Sequence, residues 1–157
     1  MNRLLNIIAY FCLEYPYSSE LSNSRLTKLV YLADWVSALA DNQQMTNITW
    51  LFNHYGPYVD DVKLAVMSSP NFTFYSDHNA FGSSKNVISY CGRIEDVKLT
   101  DRDKKILDLV IEKTQGKYYN EFIDYVYSTY PVQSKNRYST LDLVELAREY
   151  KSRLVQS

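Results

Sequence analysis

Apolar side chains recur at helical spacing at Leu4, Leu5, Ile7, Ile8, Phe11, Cys12 and Tyr15, forming one stripe. Pro16 ends that helix at about Tyr15, because the residue before a proline avoids helical geometry. Ser22 or Ser24 offers the next N-cap. Leu26, Leu29, Val30, Ala33, Val36 and Ala40 form a second stripe, in a helix running to about Asp41. The short polar connection predicts an antiparallel helix pair. After a turn at Asn42-Gln43-Gln44 the period changes. Ile48, Trp50 and Phe52 alternate with Thr49, Leu51 and Asn53, the pattern of a strand. Gly56-Pro57 punctuates it. Pro57 is expected at the first helical position of a third helix, with Asp60 and Asp61 in its first turn. Val59, Val62, Leu64, Val66 and Met67 carry that helix to about Ser68, and Ser69-Pro70 closes it.

Residues 71–76 and 85–91 read as two short strands, joined by a hairpin loop over Asp77 to Ser84 that is rich in turn residues. Gly92 ends the second strand. Thr100 and Asp103 have the spacing of a capping box, followed by Ile106, Leu107, Leu109, Val110 and Ile111, with Gly116 placed as a C-terminal glycine. Tyr119, Phe122, Ile123 and Val126 mark the next helix, stopped before Pro131. Val132 to Tyr138 reads as a polar connection. Ser139 and Asp142 start a last helix lined by Leu143, Leu146, Ala147 and Tyr150, which frays after about Leu154. The fold class is therefore α+β and mainly α. About six helices are expected, with a small two- or three-stranded antiparallel sheet between the third and fourth. No internal repeat or linker interrupts the 157 residues, so a single domain over residues 1–157 is expected.

Composition narrows the function classes. Hydrophobic residues make up 46% and charged residues 22%, which argues against disorder. No apolar run approaches the roughly 20 residues of a spanning helix. Glu14, Tyr15 and Pro16 interrupt the apolar patch behind Arg3, so no signal peptide is read and a cytoplasmic protein without membrane contact is expected. The net charge is -1, with five Lys/Arg against seven Asp/Glu in residues 1–92 and twelve against eleven in 93–157. Neither half has the cationic excess that phosphate binding draws on, which speaks against a nucleic-acid partner. Cys12 and Cys91 are expected as free thiols. Fifteen tyrosines are far more than an average chain of this length carries. Tyrosine suits both a core with wet edges and a binding interface, and its abundance locates neither.

Candidate chemistry is thin. The only histidines are His54 and His78, Cys12 lies on an apolar stripe, and nothing resembles a nucleophile elbow. Two cysteines and two histidines without close spacing do not make a zinc site. The pairs Asp60-Asp61 and Asp101/Asp103 fall where helix N-termini favour carboxylates. The glycines at 56, 82, 92 and 116 are isolated, so no phosphate loop is present. No enzyme, no metal and no cofactor are expected.

Two stretches are denser than structure alone requires: Leu26-Thr-Lys28-Leu29-Val30-Tyr31-Leu32-Ala33-Asp34-Trp35, and Ile48-Thr-Trp50-Leu-Phe-Asn-His54-Tyr55-Gly56-Pro57-Tyr58-Val59. With Lys28-Leu29, Tyr31 and Ala33-Asp34, then Tyr55-Gly56-Pro57 about twenty residues on, the first seventy residues or so resemble the Panacea-domain (SocA-like) antitoxins. Where that family often places a His before a Pro, near the end of a later helix, this chain has Thr129-Tyr130-Pro131, and a role tied to that His is not carried over. The residues also have a purely physical reading. Tyr31 and Asp34 share a helix surface, and Asp34 is placed to accept hydrogen bonds from the Tyr55-Gly56 turn. Gly56 supplies backbone freedom and Pro57 starts a helix. Lys28, Asp34, Gly56 and Pro57 thus form the structural motif, and Tyr31, Trp35, Trp50, His54, Tyr55 and Tyr58 are the candidate partner-binding rings.

The resemblance implies an antitoxin, bacterial or phage in origin, that neutralises a co-encoded toxin. It does so either by direct protein–protein binding or as an adaptor delivering the toxin to an AAA+ protease. Two alternatives stay open. One is a DNA-binding autoregulator of its operon, with Lys98, Arg102, Lys104 and Lys105 as its footprint. The other is a phage-encoded inhibitor of a host protein. The oligomeric state is not legible.

Overall fold

The computed structural model describes residues 1–78 and 84–156. Along the chain run α1 (Arg3–Glu14), α2 (Asn23–Asp41), β1 (Trp50–Asn53), β2 (Gly56–Pro57), α3 (Asp61–Met67), β3 (Phe72–His78) and β4 (Ser84–Tyr90). There follow α4 (Asp101–Thr114), α5 (Tyr119–Tyr127), α6 (Tyr130–Ser134), β5 (Thr140–Leu141) and α7 (Leu143–Gln156). This is the expected α+β class, mainly α, with seven helices among the described residues where about six were expected. None of them is long and apolar enough to cross a membrane. The residues fall into two compact units, one of 1–27 and 60–115, the other of 28–59 and 116–157.

In the first unit, Asn2 caps α1 by accepting the Leu5 N–H at 2.9 Å, and the stripe of Leu5, Ile7, Ile8 and Phe11 is buried. β3 and β4 pair antiparallel from Phe72↔Tyr90 to His78↔Ser84, the expected hairpin; residues 79–83 of its loop lie outside the described residues. Val87 and Ile88 of β4 are buried, and the Ile88 N–H donates to the Leu21 carbonyl at 3.0 Å. The capping box is present: Thr100 Oγ1 accepts the Asp103 N–H at 3.0 Å, and Asp103 accepts the Thr100 N–H at 3.1 Å. Arg3 grips the same carboxylate with both Nη atoms, at 3.1 and 2.8 Å. Burial alone raises the Asp103 pKa, but the guanidinium and the cap hydrogen bonds hold it below the ordinary carboxylate value. Ile106, Leu107, Val110 and Ile111 are the buried face of α4.

In the second unit a three-stranded antiparallel sheet runs β2-β1-β5. Its registers are Phe52↔Pro57 and Asn53↔Gly56 on one side of β1, and Trp50↔Leu141 and Leu51↔Thr140 on the other. The core gathers Leu29, Val30, Trp50, Phe122, Val126, Leu141, Leu143 and Leu146, all buried. Several local expectations change here. Pro57 does not start a helix: it sits on the edge strand β2, where a missing N–H is harmless, and α3 begins at Asp61. The helix of Tyr119, Phe122, Ile123 and Val126 does stop before Pro131, as expected, but Pro131 then lies in the first turn of a further short helix, α6, where its lost donor has no intrahelical partner. Gly116 takes no left-handed conformation; Gln115 caps α4 in helical geometry. The last helix is capped by Asp142, whose Oδ1 accepts the Glu145 N–H at 3.1 Å, because Thr140–Leu141 is drawn into the sheet as β5.

Candidate functional site

The dense motif on α2 holds up the β1–β2 hairpin of the same unit. Asp34 is fully buried. It does not bond the Tyr55-Gly56 turn: its acceptors are taken by the chain leading into β1. Oδ1 accepts the Thr46 N–H at 2.9 Å, while Oδ2 accepts the Thr46 hydroxyl, Trp50 Nε1–H at 2.8 Å and Gln44 Nε2–H at 3.2 Å. Burial pushes the Asp34 carboxyl above its ordinary pKa, against donors that pull it down. The Tyr31 ring meets Trp50 edge-on, centroids 5.5 Å apart, an arrangement worth about 0.5–1.5 kcal/mol beyond its burial. The Thr129 hydroxyl donates to the Val126 carbonyl at 2.7 Å, so the Tyr31 hydroxyl is the donor in its 2.8 Å bond to Thr129 Oγ1. Burial raises the Tyr31 phenol, which keeps that donor protonated.

Lys28 and Gly56 are fitted to one another. Gly56 has φ 103, in the left-handed region that favours glycine. A Cβ there would stand 3.3 Å from Tyr127 Cε2 and 3.6 Å from Lys28 Cε. The buried Lys28 ammonium lies 5.8 Å from the centre of the Tyr58 ring, and burial lowers its pKa to about 8. Tyr58 continues the hairpin, its N–H donating to the Leu51 carbonyl at 3.0 Å.

The candidate rings therefore divide. Tyr31, Trp35 and Trp50 are buried, Trp35 lying 6.1 Å from the Tyr150 ring, and Tyr58 is half-buried. His54 and Tyr55, the two residues of the hairpin turn, are exposed. Their rings meet edge-on at 4.5 Å, and Tyr55 is 73% exposed. Reading the sequence missed what stands beside them: Arg137 and Tyr138, in the stretch read as a polar connection. Arg137 Nε donates to the His54 carbonyl at 3.0 Å and Nη2 to the Tyr127 hydroxyl at 3.2 Å. His54 Nδ1 and the Tyr138 hydroxyl are 3.2 Å apart. The other candidates for chemistry lie apart from this tip in the chain and in the first unit. Cys12 is half-buried with its thiol pushed up to about 12 by burial, and Cys91 is exposed.

Fold and site together define a small, mainly helical α+β domain that presents an aromatic hairpin tip on a buried hydrogen-bonded frame. Residues 26–131 match the family model of the antitoxin SocA-like Panacea domain, well over half of the chain, and the chain belongs to that family. The match takes in the whole frame from Leu26 to Pro131 and stops short of Arg137 and Tyr138. No curated protein and no solved structure matches the chain.

Proposed function

We propose that this chain is an antitoxin that neutralises a co-encoded toxin by direct binding, and that the β1–β2 hairpin tip is its contact surface. The observation that carries the reading is Tyr55. It is a large ring, mostly exposed, without a hydrogen-bond partner among the described residues, at the end of a hairpin whose support is buried and fully bonded. Exposed aromatic anchors on a pre-ordered support suit binding, since little side-chain entropy remains to be lost. His54 and the edge of Tyr58 belong to the same surface. Tyr31 and Trp50 act from beneath it, as positioning residues, while Trp35 packs against Tyr150.

Co-expression with the adjacent gene tests the function. Growth arrest by the neighbour alone, rescue by this chain and stoichiometric co-purification are the results expected of direct capture. Rescue without co-purification transfers the function to delivery of the toxin to an AAA+ protease. A harmless neighbour that does not bind removes the antitoxin reading and leaves a host protein as the target. The repressor alternative, with Lys98, Arg102, Lys104 and Lys105 as its footprint, is tested by a mobility shift on the upstream DNA at two salt concentrations, where no salt-dependent shift removes it.

A further inference from the structure

We infer that Arg137 and Tyr138 extend the hairpin tip into a recognition surface for an acidic segment of the partner protein, and that this loop determines which partner is taken. The inference rests on the hairpin tip being the contact surface.

Backbone geometry gives the first ground. Tyr138 has φ 70, a left-handed conformation that ring-bearing L residues rarely adopt, yet its side chain is 65% exposed. Nothing in the burial of the ring accounts for a strained backbone. The segment is fastened there by three hydrogen bonds to β1 and its turn. Tyr138 N–H donates to the Phe52 carbonyl, Phe52 N–H donates to the Ser139 carbonyl at 2.9 Å, and Arg137 Nε donates to the His54 carbonyl. The outcome is a ring held outward against His54, which in turn meets Tyr55. Three rings of the surface are thus contiguous, and one of them stays put only because the loop is tied down.

Charge gives the second ground. Residues 42–59 and 125–141, which build the tip and its neighbouring loop, contain no Asp or Glu, while the second segment carries Lys135 and Arg137. The Arg137 guanidinium lies 5.6 Å from the Phe52 ring centre and 6.0 Å from that of Tyr127. Stacking and two hydrogen bonds fix its plane, and three of its five N–H groups have no protein acceptor among the described residues. A fixed, planar fork with spare donors fits a carboxylate in bidentate fashion. The Tyr55 hydroxyl, exposed and without a protein partner among the described residues, adds a further donor. Two cations in a chain of net charge -1 neutralise few phosphates, so the observations favour an acidic peptide segment over nucleic acid.

The loop also lies beyond residue 131, where the family match ends. A loop outside the stretch that the family model describes is free to differ in the partner it takes.

The test is calorimetric titration of the adjacent gene's product into wild type, Tyr55→Ala, Arg137→Lys, Arg137→Glu and Tyr138→Asn. Asn accepts left-handed geometry without strain, so Tyr138→Asn removes the ring and leaves the loop's backbone stable. An oligo-glutamate peptide and a mixed-sequence duplex DNA serve as competitors. The expected result is a loss of about tenfold or more for Tyr138→Asn with its unfolding midpoint unchanged, and a similar loss for Arg137→Glu compared at equal folded fraction, since that variant also gives up the loop's hydrogen bonds. Arg137→Lys should lie between wild type and Glu, and oligo-glutamate should compete where duplex DNA does not. Loss of affinity in Tyr55→Ala with none in the three loop variants overturns this inference and leaves the hairpin reading standing. Unchanged affinity in every variant, or no binding by wild type, overturns both. Competition by duplex DNA alone makes nucleic acid the occupant and overturns the acidic-segment assignment.

Discussion

Removing the Asp34 carboxylate should unfasten the frame. Asp34→Ala strips the acceptor from four donors, of which Trp50 Nε1–H and Thr46 N–H have no other acceptor among the described residues. A buried donor left without its acceptor costs about 1–3 kcal/mol, so two such donors put the loss at about 2–6 kcal/mol. Native domains hold only about 5–15 kcal/mol, and the change is large on that scale. Asp34→Asn is milder. Its carbonyl can replace Oδ2, while its amide then faces the Thr46 N–H, leaving one donor unsatisfied at about 1–3 kcal/mol. Burial raises the folded-state pKa of Asp34, so the folded protein holds this proton more tightly than the unfolded chain does. That contribution is fully present below the ordinary carboxylate value and is lost as pH rises through the raised one. Wild type should therefore lose stability relative to Asp34→Asn as pH rises above the ordinary carboxylate range, and the gap between them should narrow. Urea unfolding followed by tryptophan fluorescence is the assay. Both tryptophans, Trp35 and Trp50, lie in the second unit and report its unfolding. An Asp34→Ala midpoint within about 1 kcal/mol of wild type would refute the view that this carboxylate anchors the strand.

Three further outcomes follow from the same geometry. Gly56→Ala should cost about 1–3 kcal/mol in urea unfolding, because φ 103 is strained for alanine and its methyl would meet Tyr127 at 3.3 Å. Lys28 has a folded-state pKa of about 8 against an ordinary 10.5, so the unfolded chain binds the extra proton. Relative to Lys28→Met, wild type should gain about 3 kcal/mol as pH rises through that window, measured by paired unfolding curves; a flat difference would contradict it. An aromatic-disulfide thiol reagent should label the exposed Cys91 rapidly. Cys12, with its thiol raised to about 12, should react only on unfolding, and equal labelling rates in the native protein would count against its placement.

The elements legible in the sequence are those fixed by local patterns. The stripes of α1 and α2, the Thr100/Asp103 capping box and the β3–β4 hairpin each depend on residues within a few positions of one another. What escaped reading depends on distant partners. Thr140–Leu141 becomes β5 only because Trp50–Leu51 offers an edge about ninety residues earlier, and no local alternation announces it. The same pairing moves the helix cap from Ser139 to Asp142. Pro57 was ambiguous by nature, since an edge strand and a first helical turn both tolerate a missing N–H. At the candidate site, the dense motif marked the stretch that forms the β1–β2 hairpin, but dense aromatic residues do not say which rings face inward. Tyr31 and Trp50 are consumed by the frame, whereas Tyr55 stands outside it. Arg137 and Tyr138 carried no signal, because neither a left-handed tyrosine nor a stacked guanidinium has a local sequence mark.

The most direct test of the central claim is the affinity of Tyr55→Ala for the adjacent gene's product, set beside wild type at equal folded fraction. Tyr55 is so exposed that its truncation should shift stability by no more than about 0.5 kcal/mol. A dissociation constant raised about tenfold or more, with an unchanged unfolding midpoint, is the result the hairpin-tip account predicts. An unchanged dissociation constant for a tight wild-type complex would contradict it and move the contact to another face of the protein.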